Sequence, residues 1–166
     1  MFTEALAIIV SVIGALYDWK SRRIPNWLTL GTFVLIFLFN LITLKISQVG
    51  YCALGFFVGI ALLFIPYLLG AMGAGDVKLL GAIGALTGYR AIIPIFFIST
   101  FCGLLLALIW MINQPNRFKF LITTGQILPA VDKQQKFPYG IAISLGTILY
   151  IILKSFNVYL FILPWQ

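Results

Sequence analysis

The sequence has no histidine, and only four acidic residues in 166 against eleven basic ones. Each scarcity excludes something. Without His there is no imidazole general base, no Ser-His-Asp triad and no His metal ligand. The only two cysteines, Cys52 and Cys102, lie far apart inside apolar runs. With no CxxC pair, a zinc site lacks its thiolates, and both read as small core residues. Charged residues make up 9% of the chain, where a soluble domain carries about 25%. So few charges cannot cover a water-facing surface, which excludes a soluble globular enzyme. Disorder is excluded as well, since it needs low hydrophobicity and 62% of these residues are apolar.

What the chain has in abundance is long apolar stretches. A bilayer core is spanned by about 20 apolar residues in helix, and such runs fall at roughly 2–17, 27–44, 50–72, 77–89, 91–112 and 139–163. They are continuous and lack the alternation of a membrane barrel. The fold class is therefore all-α: a polytopic membrane protein with about six transmembrane helices, in a single domain over residues 1–166. The fourth run is the shortest. It is expected to be tilted, or buried in protein rather than facing lipid. The first run carries Glu4 and no Lys or Arg at its leading end, and no small-x-small site precedes Tyr17-Asp18. It reads as a span and not as a signal peptide.

Lys20, Arg22 and Arg23 follow the first run, which by the positive-inside rule puts the N-terminus outside and residues 18–26 in the cytoplasm. Six spans from that start also put 72–76 and the polar stretch 113–138 inside. Lys78, Arg117, Lys119, Lys133 and Lys136 join the inner set, while Lys45, Arg90 and Lys154 lie toward the outside. The net charge of +7 thus consists of orientation signals scattered over loops. It is not the basic stripe of a nucleic-acid binder. The bilayer is the expected partner, and the cytoplasmic (inner) membrane the expected location.

With so few acids, each can be weighed. Glu4 reads as an interfacial anchor or a solvated terminus, and Asp132, beside Lys133 in the polar loop, as a solvated charge. Asp18 follows the first span, and Asp76 lies between the third and fourth, so both are expected at the same membrane face. Acids within membrane segments tend to face the bundle interior and to be functional. Asp18 alone could be helix-end punctuation next to Arg22 and Arg23. Asp76 sits in Gly73-Ala74-Gly75-Asp76-Val77-Lys78, and its plainest reading is an N-cap of the fourth helix. Gly73 and Gly75 permit backbone conformations and close approach that other residues forbid. Gly81, Gly84 and Gly88 give the fourth helix small residues for close packing. Pro25 starts the second span. Lys78 can bias the aspartates toward ionisation or snorkel to the interface.

Two carboxyls a few ångströms apart do not both ionise easily. One keeps a proton and the other acts as base on a shared water. This chemistry needs no His, no Cys, no metal and no cofactor.

These residues resemble the prepilin peptidase family of membrane aspartic proteases. The likeness rests on three motifs in order: Asp18 followed by Ile24-Pro25-Asn26, the Gly-x-Gly-Asp of Gly73, Gly75 and Asp76, and Phe137-Pro138-Tyr139-Gly140 before the last span. The resemblance implies that Asp18 and Asp76 are catalytic. It marks Gly73, Gly75, Lys78, Pro25, Asn26, Pro138 and Gly140 as residues that shape the site or bind substrate. It implies cleavage of type IV pilin-like precursors on the cytoplasmic side, after a Gly that separates a short basic leader from a hydrophobic helix. Larger members carry a methyltransferase insert with a CxxC-type zinc site. This chain has no CxxC, so it resembles the short peptidase-only branch, that of the tight-adherence (Flp-type) systems or the archaeal preflagellin peptidases, and the PYGIAI string at 138–143 leans toward the former. Two other classes stay open at this point: an ion- or proton-coupled small transporter or channel using the same acids, and a structural subunit of a pilus or secretion machine.

Overall fold

The computed structural model describes residues 2–44, 46–70, 72–112 and 139–156. Within them the chain forms six helices: α1 (Phe2–Ser21), α2 (Asn26–Ile42), α3 (Ile46–Leu68), α4 (Ala74–Thr87), α5 (Tyr89–Ile112) and α6 (Tyr139–Ser155). In hydrocarbon every backbone N–H and C=O must bond within the segment, and helices do this locally. Within the described residues the continuous apolar runs therefore become helix. By length and composition α1, α3 and residues 89–109 of α5 can each cross a membrane, and α2 and α6 are shorter apolar helices. The chain is an all-helical polytopic membrane protein.

α4 organises the bundle. Its 14 residues include ten buried ones in an almost unbroken series from Asp76 to Leu86. A helix that is apolar all round belongs in a core, and α4 touches each of the other five described helices. Its short length, anticipated from the sequence, follows from that burial: a helix wrapped by protein need not match the lipid. Glycines let the backbones meet. A Cβ on Gly55 of α3 would collide with the carbonyl of Gly84, and one on Gly59 would sit 2.7 Å from the carbonyl oxygen of Leu80. Close contact of this kind supplies the van der Waals energy that holds membrane helices together, where lipid offers no hydrophobic driving force. The seam between α5 and α6 follows the same rule, with Gly103 against Tyr139 and Gly146 against Ser99.

Three local features differ from the sequence-based expectation. α1 does not end before Asp18 but continues to Ser21, so Asp18 is a helical residue in its last turn. The turn out of α1 places Arg22 in the left-handed region at φ 53, and the Ser21 hydroxyl donates to the carbonyls of Tyr17 and Arg23. Asp76 is not the N-cap of α4; that position is Gly73, and Asp76 is the third helical residue. Glu4 is not a free anchor: it accepts a hydrogen bond from Lys154 at 2.6 Å, which ties the start of α1 to the end of α6. Pro66 and Pro94 lie inside α3 and α5. Asp132 and Pro138 lie outside the described residues.

Candidate active site

Asp18 and Asp76 are two of the few buried polar residues, at 7% and 6% exposure. A carboxylate this deep in an apolar bundle is tolerated only with hydrogen-bond partners. Each has a backbone N–H at the start of a helix. The Gly73 N–H donates to Asp76 Oδ2 at 3.1 Å, across the first turn of α4. The Gly140 N–H, in the first turn of α6, donates to Asp18 Oδ2 at 2.8 Å. The first N–H groups of a helix have no intrahelical acceptor, and the helix dipole favours negative charge there. Asp76 therefore satisfies an N–H at the start of its own helix, while Asp18 satisfies one that lies 122 residues further along the chain.

The aspartates share one end of the bundle. α1 runs toward it and ends just past Asp18, and α4 and α6 start from it. Tyr139, which precedes the Asp18-bound Gly140, lies within electrostatic reach of Asp76. Its hydroxyl shares a hydrogen bond with Thr100 of α5 at 3.3 Å, which anchors the α6 start to a third helix.

The segment between α1 and α2 closes on the same point. Pro25 holds the N-cap position of α2 with φ −70, the value its ring imposes, and Asn26 opens the helix. Ile24 is buried. A Cβ on Gly75 would lie 3.1 Å from the Ile24 Cβ and 3.3 Å from its backbone N, so Gly75 lets the Asp76 turn sit directly on the Ile24-Pro25-Asn26 step. Lys78 Nζ donates to Asn26 Oδ1 at 2.9 Å and bridges the two motifs a second time. Of the residues singled out in the sequence, Asp18, Pro25, Asn26, Gly73, Gly75, Asp76, Lys78 and Gly140 therefore converge. Gly140 also has no room for a side chain, because a Cβ there would lie 2.9 Å from the Asp18 Cβ.

Two contributors were not singled out. Ile24 was visible within its tripeptide, as a buried apolar residue at a loop-to-helix step. Thr100 carried no signal, because one hydroxyl in an apolar span reads as an ordinary helix residue bonded to the carbonyl four residues back, which it also is. On the outside of this end Tyr17 and Trp27 meet edge to face, with ring centroids 6.2 Å apart, and Trp19 is exposed. Such amphipathic rings belong to the membrane–water interface.

The fold and site define a class: a helical membrane protein with two buried, backbone-bonded carboxyls gathered at one interfacial end. Comparison with known proteins makes the class specific. The type IV leader peptidase family matches residues 5–108, which include both aspartates and most of α1 to α5. The chain belongs to the type IV leader peptidase family. It is also similar to the prepilin leader peptidase/N-methyltransferase of Pectobacterium carotovorum subsp. carotovorum, with 28% identity over 148 residues covering 84% of this chain and 47% of that protein. The chain thus spans about half the length of the curated relative it matches. No solved structure matches it.

Proposed function

We propose that this chain is an aspartic endopeptidase of the cytoplasmic membrane that removes the basic leader from type IV prepilin-like precursors. The observation that carries the reading is the convergence of Asp18 and Asp76, each buried and each accepting a backbone N–H, at one end of the bundle. The substrate is itself a membrane helix with a polar leader. Its scissile bond has to be presented where water is available, at the interface. One carboxyl holds a proton and polarises the scissile carbonyl. The other takes a proton from the attacking water, and the pair works as a unit. Membership of the leader peptidase family supports this reading.

In this proposal the aspartate end faces the cytoplasm and the N-terminus lies outside, as the distribution of Lys and Arg favours. Gly73, Gly75 and Gly140 shape the site by letting backbone approach the carboxyls. Lys78 and Asn26 hold the two motif segments together. Residues 1–166 act as one peptidase unit. Among prepilins, the Flp-type precursors of tight-adherence systems are the preferred substrates.

The test is co-expression of Asp18→Asn and of Asp76→Asn, each with a tagged prepilin. Each variant is expected to leave the precursor uncut, since loss of a positioned acid or base slows a reaction roughly 10²–10⁴-fold. Normal processing by either variant would overturn the dyad. Parallel trials with an Flp-type and a longer type IV prepilin test the substrate preference.

A further inference from the structure

The bundle end away from the aspartates is recessed. Gly55 of α3 marks the level at which α4 stops: a Cβ there would meet the Gly84 carbonyl and lie 3.0 Å from the carbonyl carbon of Gly88. α3 itself begins at Ile46, so the end of α4 lies roughly 13 Å below the end of α3, at 1.5 Å per residue. Counted whole, α4 is about 21 Å long, whereas a hydrocarbon core is about 30 Å thick. Gly88, at φ 84, terminates α4, and its N–H satisfies the Gly84 carbonyl. The carbonyls of Ala85, Leu86 and Thr87 remain beyond the reach of the intrahelical ladder, as at any helix C-terminus. In dry hydrocarbon each such group would carry a penalty of several kcal/mol.

A cavity of about 280 Å³ lies over this recess, room for roughly nine waters at about 30 Å³ each. It is walled by the residues at the end of α4 and by Thr3, Asn40, Gln48 and Tyr51 from α1, α2 and α3. Among the described residues its lining contains no charged side chain. Asn40 is 7% exposed. Its backbone carbonyl accepts from Thr43, but its carboxamide makes no hydrogen bond with any described residue, although it lines the cavity. An amide placed inside an apolar bundle without a protein partner has to find one in solvent. Arg90 gives a separate indication. It sits two residues past Gly88, its guanidinium is exposed, and it bonds to the hydroxyl of Tyr89. A charge facing lipid at this depth is unfavourable.

We propose that this cavity is a water-filled vestibule, open at the bundle end opposite the aspartates, that solvates the C-terminus of α4. Its ligand is water, held by neutral donors and acceptors. The central helix is then wet at both ends, with Asp76 at one and the vestibule at the other, and the dry path along it is about the length of α4. The inference does not depend on the peptidase reading.

Thiol labelling in lipid nanodiscs tests it, because both faces are open to reagent while lipid still covers the belt. In a Cys52→Ser, Cys102→Ser background, Asn40→Cys and Thr87→Cys are made singly, with Phe57→Cys on the lipid-facing side of α3 as reference. The probe is a charged, membrane-impermeant methanethiosulfonate. A thiolate attacks its sulfenyl sulfur and displaces sulfinate, so reaction requires water at the thiol. Asn40→Cys and Thr87→Cys are expected to label at least about tenfold faster than Phe57→Cys. Labelling no faster than the reference, in protein that stays monodisperse, would overturn the vestibule. A measurement on the unsubstituted chain covers the case in which the variants misfold. The first amides of α5, at Tyr89, Arg90 and Ala91, are expected to exchange with deuterated water in nanodiscs within minutes, and protection for hours would equally overturn the proposal.

Discussion

At one end of the bundle two carboxyls are buried against backbone N–H groups and a lysine bridges two motif segments. At the other, Glu4 and Lys154 meet as an ion pair, and among the described residues a polar cavity is lined by neutral side chains. Both ends are polar, but they use polarity differently. The ion pair joins α1 to α6 and, at 24% and 42% side-chain exposure, is partly solvated, so it contributes little and commits no chemistry. The aspartates are set deeper. Each accepts a backbone N–H at the start of a helix, which fixes how the carboxyl is turned. The contrast teaches that burial and orientation, more than the presence of charge, mark the candidate site in a chain where charge is scarce everywhere.

The comparison can be broken most forcefully at the carboxyls. Asp18→Asn and Asp76→Asn should each abolish prepilin cleavage while leaving the helical circular dichroism spectrum and the monodisperse elution intact. Gly140→Ala comes next. Its methyl group would press on Asp18 from 2.9 Å, and a displacement near 1 Å in such a site slows chemistry by about 10²-fold. The expected result is a fall in kcat with most of the thermal stability kept. Lys78→Met removes the hydrogen bond to Asn26 and leaves the carboxyls in place. A loss of roughly 0.5–1.5 kcal/mol is expected, a few-fold in rate, and the exchange Asn26→Lys with Lys78→Asn should recover part of it. The smallest effect belongs to the opposite end. Glu4→Gln should lower the melting midpoint in detergent by no more than about 1 kcal/mol equivalent and leave cleavage unchanged. A strong loss of cleavage in Glu4→Gln would mean that the two ends are coupled.

Much of this was legible in the sequence. The apolar runs gave the helices within a few residues, because run length and composition are local properties that the bilayer reads directly. Asp18 and Asp76 were expected at one face and do lie at one end of the bundle, and the Gly-rich turn before Asp76 marked a place of close approach, here against Ile24. The errors were of one kind. Asp18 was assigned to a loop because a charge at the end of an apolar run looks like a boundary, yet a helix can continue through a charged residue when a neighbouring helix satisfies it. Reading Asp76 as the cap placed the start of α4 three residues too late, because the glycines are visible in the sequence but which of them leaves helical geometry is not. Gly55 and Gly59 were passed over, since a small residue in an apolar span acquires meaning only from what faces it.

By itself, then, the sequence determined that the chain lives in a membrane as helices, and it singled out two carboxyls near helix ends as the candidates for its chemistry. Tertiary structure alone decided that the start of α6 closes on Asp18, that Lys78 reaches Asn26, and that α4 is surrounded on all sides and stops short of the far end. The physical reason is range. Hydrophobic run length and helix propensity act over neighbouring residues, whereas the glycine seams, the backbone N–H offered across 122 residues and the recess over α4 arise from the shape left when six helices meet.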